Sequence, residues 1–280
     1  MKVTSYLNIL SHSILLVLLL VSCENKNKVE DFIKQGNKEF QEDKYADAIK
    51  YYTKVLDIDS INEVALNNRA WSNFYLNHID LSIKDFSTLI QHGVSKDEAY
   101  INRSQCYEKL GLFNEELMDL NQAIKINPSN TIALNNRGIF YTTYNQPVLA
   151  LEDLNKAISL NPKMCEAYLN RGLAYQRLEN KEKTLIDFNE ANKLCPEDAD
   201  ILHNRGKYYA HIKQQDKALI DLGKAISLNP NDGEIYYSRG IVYLTMKEQT
   251  KACEDFYKAE QLGYKKAIKY LEQYCKDNIE

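Results

Sequence analysis

A 34-residue period constrains this sequence more than any other feature. The fragment Asn-Arg-Gly, or a close variant, recurs six times at that spacing without insertion or deletion. A period of this length indicates stacked repeats, in which each unit buries its apolar face only against its neighbours. Extending the register backwards adds a weaker first copy. The predicted units are 29–62, 63–96, 97–130, 131–164, 165–198, 199–232 and 233–266.

Two apolar patterns within each unit predict two helices. Positions 4, 8 and 11 of the unit are large, small and large, as in Tyr168, Gly172 and Tyr175. Spacings of four and seven place these positions on one face of a helix, and the small residue lets a neighbouring helix approach closely. A second set at positions 20, 24 and 27 predicts a second amphipathic helix. Proline at position 32 ends that helix in four units.

This pattern resembles the tetratricopeptide repeat (TPR) family over residues 29–266. The period, the small and large positions and the proline all agree with that family. The resemblance implies an all-α fold, a right-handed superhelical solenoid of seven helix-turn-helix units. Residues 267–280 are predicted to form a capping helix and tail, because Ala267, Ile268 and Leu271 lie on one side of a short helix that would cover the open end of the stack.

The first 22 residues differ in kind from the repeats. Lys2 precedes an apolar run over 14–21, which is far shorter than the roughly 20 residues that span a bilayer as a helix and is typical of a signal peptide. The segment Leu20-Val21-Ser22-Cys23 resembles the lipobox of bacterial lipoproteins. That resemblance implies a signal peptide over 1–22, a lipidated Cys23, a polar tether over 23–28 and an exported protein anchored by lipid in the bacterial cell envelope. A plain secretory signal is the alternative.

Charges along the chain indicate internal pairing rather than a nucleic-acid surface. The formal net charge of −4 comes from 35 basic and 39 acidic residues that are interspersed, so no basic patch is available for nucleic acid. Units 2 to 7 all carry Arg at position 7 and Asp at position 23, whereas unit 1 has Gln35 and Tyr51 there. Because the two positions lie about equally far from the turn, we expect an ion pair within each unit.

Asparagine at position 6 predicts a partner-binding surface. At about 100° per residue, position 6 lies roughly 200° around the first helix from core position 4, so it faces the inner, concave wall. Such a row resembles the asparagine ladder in the repeat domain of O-linked N-acetylglucosamine transferase, and amides can both donate to and accept from a peptide backbone. The alternative is a polar surface position inherited through duplication. The predicted ladder is Asn68, Asn102, Asn136, Asn170 and Asn204.

Other side chains are predicted to line the same groove. Trp71 and Tyr75 in unit 2 are candidate exposed anchors for an apolar side chain, although packing against the preceding unit is the alternative. Lys207 in unit 6 lies between His203 and His211. These histidines are eight residues apart, two turns of helix, which is too far for them to share a metal ion. No metal site is therefore predicted.

Five cysteines remain when the lipobox cysteine is set aside from the six in the chain. Cys253 and Cys275 lie at about equal distances from the loop between them, and a disulfide there would staple the cap. Cys165 and Cys195 open and close one hairpin and are a second possible pair. Cys106 would be left free and is expected to be buried as a small hydrophobe.

The chain carries no sequence motif for catalysis. A Gly-rich phosphate loop, a His-Glu-x-x-His motif, a paired-cysteine zinc spacing and a nucleophile elbow are all absent from the sequence. We therefore predict no enzyme, no cofactor and no small-molecule substrate. The predicted function is a membrane-anchored scaffold that binds an extended peptide or protein partner in its concave groove. The alternative is a periplasmic accessory or carrier subunit for cell-wall or secretion machinery.

Overall fold

The computed structural model of the protein describes residues 24–275. Every regular element in that range is a helix, which confirms the all-α class. The chain divides into an N-terminal module, Met1–Ala133, and a C-terminal module, Leu134–Glu280. The predicted signal peptide, Cys23 and the last five residues lie outside the described range. Between 24 and 275 no helix has the length and apolar character needed to span a membrane.

The N-terminal module consists of successive antiparallel helix pairs. Each helix packs against its neighbours in sequence, and buried Tyr52 and Phe86 lie at the centres of the first two pairs. The helices are α1 (24–41), α2 (Tyr45–Ile58), α3 (Glu63–Tyr75), α4 (Ile79–His92), α5 (Lys96–Leu110), α6 (Phe113–Ile126) and the start of α7 (Thr131–Thr143).

The C-terminal module continues the same arrangement and ends in an additional helix. Pro147 occupies the first turn of α8, where its missing N–H costs no hydrogen bond. After α7 the helices are α8 (Pro147–Leu160), α9 (Cys165–Arg177), α10 (Lys181–Leu194), α11 (Ala199–His211), α12 (Gln215–Leu228), α13 (Gly233–Thr245), α14 (Gln249–Gln261) and α15 (Lys266–Tyr274).

A small residue at position 8 lets the two helices of a pair approach closely, as predicted. In α9, a methyl group added to Gly172 would lie 2.6 Å from the ring of Phe188, which occupies position 24 and is completely buried. Gly206 faces Leu222 in the same way in the next pair. The large side chain at position 24 lies directly on the backbone of the first helix at position 8. A small residue is therefore needed at position 8 of each unit.

The turn between the helices of a pair places position 15 in the left-handed region. The following N–H then bonds back across the helix end, as His78 N does to the carbonyl of Asn73 at 2.8 Å. Glycine adopts this conformation with least strain, yet only unit 3 has glycine there. The residues with positive φ at position 15 are Asp43, Asn77, Gly111, Asn145, Glu179, Lys213 and Lys247.

The predicted cap packs on the last repeat. Ala267 and Leu271 of α15 are buried against α14, together with Cys275 just after the helix. Ile268 was predicted to share that face, and this is wrong, because its side chain is 39% exposed. Tyr270 packs there instead, with its ring centroid 5.2 Å from that of Phe256.

Candidate functional site

Arginine at position 7 pairs with aspartate at position 23 of its own unit, which confirms the predicted ion pairs. Arg171 donates from Nε and Nη2 to the two carboxylate oxygens of Asp187, both at 2.8 Å. The aspartate side chains are almost fully buried, so these pairs are part of the fold rather than a ligand site. The six pairs are Arg69–Asp85, Arg103–Asp119, Arg137–Asp153, Arg171–Asp187, Arg205–Asp221 and Arg239–Asp255.

The same arginines also link successive units, which the sequence reasoning missed. Nη1 of Arg171 donates to Asn155 Oδ1 at 2.8 Å, and Nη1 of Arg205 donates to Asn189 Oδ1 at 3.1 Å. These acceptors lie at position 25 of the preceding unit. The available signal was the polar side chain that position 25 carries in units 1 to 5, namely Thr53, Ser87, Asn121, Asn155 and Asn189.

The predicted asparagine ladder is partly engaged in hydrogen bonds within the N-terminal module. Asn68 Nδ2 donates to Asn37 Oδ1 at 2.9 Å, and Asn102 Nδ2 donates to Asn67 Oδ1 at 3.1 Å. Both ladder side chains are half-buried. Each amide therefore keeps part of its hydrogen-bonding capacity for a ligand while the rest connects neighbouring units.

The ladder residues of the C-terminal module are not equivalent to one another. Asn170 Nδ2 donates to Asn135 Oδ1 at 2.9 Å, a bond between successive units. Asn204 Nδ2 donates to the backbone carbonyl of Asp200 in its own helix at 2.8 Å. Within residues 24–275, the side chain of Asn136 makes no hydrogen bond. Asn136 thus leaves its whole amide to solvent or a partner, whereas Asn170 and Asn204 each use one N–H within the protein.

A two-unit alternation at position 5 accounts for part of this difference. Units 2, 4 and 6 have a polar residue there, and it bonds the position-6 side chain of the next unit. The third such pair is His203 and Ser238, whose Nε2 and Oγ are 2.8 Å apart. Units 3, 5 and 7 carry Ile101, Leu169 and Tyr237 instead. The alternation is visible in the sequence with a 68-residue period, twice the repeat length.

The aromatic residues of unit 2 pack more closely than predicted. Trp71 was a candidate exposed anchor, with packing against the preceding unit as the alternative. Its ring is half-buried and lies 5.7 Å between centroids from Phe86 of its own unit. Tyr75 is 53% exposed, but it stacks on Tyr45 of the preceding pair at 4.8 Å. Trp71, at position 9 of unit 2, therefore packs against the core, and of Trp71 and Tyr75 only Tyr75 is largely exposed.

The polar residues of unit 6 pair with unit 7. Lys207 Nζ lies 3.3 Å from Glu234 Oε1. Burial and the nearby charge of Lys207 lower the pKa of His203 to about 4, so this imidazole is neutral at pH 7. No group of three His, Cys, Asp or Glu side chains within the described range could hold a metal ion. His203 is therefore a structural contact between units.

Disulfides join the two cysteine pairs proposed from the sequence. Cys165, at the start of α9, is bonded to Cys195, just after α10, so the open end of that hairpin is closed. Cys253 in α14 is bonded to Cys275 and ties the cap to the last repeat. Cys106 is free and buried, as predicted, with its Sγ 3.3 Å from Ser82 Oγ. Burial raises the pKa of the Cys106 thiol, which makes it a poor nucleophile.

Family models and solved structures match this architecture. One model of the tetratricopeptide repeat matches residues 97–130, 166–198 and 199–232, and a second matches 222–254. The structure of a tetratricopeptide repeat protein from Parabacteroides merdae is 22% identical, with a TM-score of 0.71 over 89% of this chain and 98% of that one. The Cut9–Hcn1 structure is 18% identical, with a TM-score of 0.65 over 75% of this chain and 42% of that one.

Curated relatives share only part of their length with this protein. The DnaJ homolog subfamily C member 7 homolog of Dictyostelium discoideum is 29% identical over 114 residues, which are 39% of this chain and 21% of that protein. The protein STIP1 homolog of the same organism is 27% identical over 107 residues, which are 38% and 19%. The chain thus spans about a fifth of the length of these relatives. From its period, its helix pairs and these likenesses, the chain belongs to the tetratricopeptide repeat family.

Proposed function

We propose that this scaffold for protein–protein interaction binds an extended peptide along the first helices of its pairs. The observation that carries the proposal is asparagine at position 6 in five successive units. Contacts between units do not account for that residue at every position, since Asn136 makes no hydrogen bond within the described part and Asn204 bonds only its own helix. An amide can donate to a peptide carbonyl and accept from a peptide N–H, so a row of amides suits a backbone of any sequence.

Several further observations support a protein partner. Tetratricopeptide repeat proteins are generally non-enzymatic scaffolds, and the similar Cut9–Hcn1 structure is a hetero-tetramer. Tyr75 and Lys207 are exposed on first helices, α3 and α11, and would contact side chains of the bound segment. An extended peptide of mixed composition matches this combination of amide, aromatic and charged groups.

The ladder is tested by combining Asn102→Ala, Asn136→Ala and Asn170→Ala. Each hydrogen bond contributes about 0.5–1.5 kcal/mol, so the triple variant should lose most of its affinity for a partner peptide while single variants lose little. The partner is identified by cross-linking from solubilised membranes, and its peptides are then titrated by calorimetry. A matched control is Lys84→Ala with Glu152→Ala, both exposed on second helices. Unchanged affinity in a folded triple variant would refute the ladder.

We also propose that the protein is exported and anchored to a membrane of the bacterial cell envelope through lipid on Cys23. The two disulfides support export, because disulfides persist in oxidising compartments and are rare in the cytosol. Two or three acyl chains suffice for stable anchoring. Cys23→Ser should move the protein to the soluble fraction, whereas Cys106→Ser should leave it on the membrane. A membrane-bound Cys23→Ser variant would refute the anchor.

A further inference from the structure

The last arginine of the position-7 series differs from the others in one hydrogen bond. In four units, Nη1 donates across to position 25 of the preceding unit at 2.8 to 3.2 Å. The residue at position 25 of unit 6 is Gly223, which brings no side-chain acceptor. Within residues 24–275, Nη1 of Arg239 accordingly makes no hydrogen bond. One N–H edge of a fixed guanidinium is left for another acceptor.

The remaining contacts of Arg239 hold its guanidinium in place. Nε and Nη2 donate to Asp255 at 2.8 and 2.7 Å. The rings of Tyr236 and Tyr243 lie 5.8 and 5.9 Å from its Cζ. Arg103 has the same ion pair and two tyrosine rings in unit 3. Arg239 cannot turn to a different partner without breaking its ion pair.

The space around Gly223, where position 25 of the preceding units carries the acceptor for Nη1, is open. A methyl group added to Gly223 would have no atom within 4 Å, although the residue lies in the middle of α12. Glycine there is destabilising relative to alanine, so helix stability does not explain it. Ile220, three residues earlier and therefore on the same face of α12, is 70% exposed. The result is an open notch between a charged donor and an apolar side chain.

The charge around this notch favours an anionic acceptor. The aspartate nearest in sequence, Asp221, is already paired with Arg205. Asp255 is bonded to Nε and Nη2 of Arg239, so the Nη1 edge of this charged guanidinium has no carboxylate of its own within the described range. An ionised acceptor at that edge would make a charge-assisted hydrogen bond.

We propose that Gly223, Arg239 and Ile220 form a docking notch for an acidic side chain of a protein partner. The carboxylate accepts the charge-assisted hydrogen bond from Nη1, in the position that Asn155 and Asn189 fill at the preceding repeats. An apolar residue beside that acid packs on Ile220. Gly223 and Ile220 lie on α12, a second helix, and Arg239 lies on α13 of unit 7, whose position 6 is Ser238 and not asparagine. The notch is therefore separate from the asparagine ladder and does not depend on it.

The notch is tested by NMR with a defined probe. The Nε–H signals of the seven arginines are followed while acetyl-Leu-Glu-amide is added, with acetyl-Leu-Gln-amide as the matched neutral peptide. The Arg239 signal should shift selectively and saturate, while those of Arg171 and Arg205 stay in place because their Nη1 groups are occupied. The glutamine peptide should bind about tenfold more weakly, since its neutral amide accepts the hydrogen bond but lacks the charge–charge attraction of a carboxylate for the guanidinium.

Two substitutions at one position separate the acceptor from simple steric effects. Gly223→Asn supplies the acceptor from the chain itself and should abolish the Arg239 response. Gly223→Ala adds no acceptor and should keep the shift of the Arg239 signal on peptide addition. Ile220→Ser removes the apolar contact and should weaken peptide binding. Circular dichroism checks that each variant is folded. The absence of a selective Arg239 shift up to the solubility limit of the peptide, an equal response to the glutamine peptide, or unchanged binding by Gly223→Asn would each overturn the proposal.

Discussion

Glu116 gives the sharpest prediction about stability. It occupies position 20 of unit 3, where other units have alanine, serine or threonine. Its side chain is 6% exposed, and Oε2 has no hydrogen-bond partner within residues 24–275. Burial, with a smaller effect from the charge of Glu108, raises the pKa of Glu116 to about 7 from an ordinary 4.5. The folded protein therefore favours the neutral acid, whereas the unfolded chain releases the proton more easily.

The sign and size of the effect follow from this difference. Below about pH 4.5 the carboxyl is protonated in both states and has no charge to bury. As the pH rises from 4.5 to 7, the unfolded state loses its proton first, so the free energy of unfolding falls. Above pH 7 the loss is complete. At 1.36 kcal/mol per pKa unit, it amounts to about 3 kcal/mol.

Glu116→Gln tests this reasoning, because glutamine has the same shape and no charge. Urea unfolding at pH 4 and pH 8 should show little difference from the parent at pH 4 and a gain of about 2–3 kcal/mol at pH 8. Glu115→Gln is the control, since Glu115 is exposed on the same helix and should have little effect at either pH. A Glu116→Gln variant with the same stability difference at both pH values would refute the account.

Three further predictions concern the scaffold. Arg171→Ala and Asp187→Ala should each lower the free energy of unfolding by about 3 kcal/mol, because either change leaves a buried charge unpaired. A double-mutant cycle should show strong coupling between the two residues, and additive effects would contradict the pairing. Lys213→Gly should raise the urea midpoint by relieving about 1 kcal/mol of left-handed strain, whereas Gly111→Lys should lower it; a loss of stability in the first would show that Lys213 is unstrained. Cys253→Ser with Cys275→Ser should speed hydrogen exchange in α15 and leave α9 and α10 unchanged, and equal protection of α15 with and without the bond would contradict its role.

Much of the fold can be predicted because a helical repeat converts spacing directly into position. The four-residue and seven-residue spacings of unit 5 identify the face of α9 on which Gly172 meets Phe188. Arg171 and Asp187 lie about equally far from the turn that joins their helices, and this predicts their ion pair. These inferences need only the geometry of one hairpin, which the pattern within one unit supplies.

Contacts between successive units are harder to predict, since they depend on how one pair is offset from the next. The bond from Arg205 to Asn189 therefore went unpredicted, as did the alternating partners of the asparagine ladder. Trp71 was a candidate for the groove because of its place in the first helix of unit 2. Its long aromatic side chain reaches sideways to Phe86, and the position of a residue along a helix does not give that direction.

Site-specific photo-cross-linking shows whether a partner lies along the first helices. A benzoylphenylalanine is introduced at Asn136 or Asn204 and, as matched controls, at Lys84 or Glu152 on second helices. After irradiation in intact cells, cross-linked peptides are identified by mass spectrometry. We expect both ladder positions to capture the same segment of one partner and the control positions not to capture it. Capture from the control positions alone would contradict this expectation.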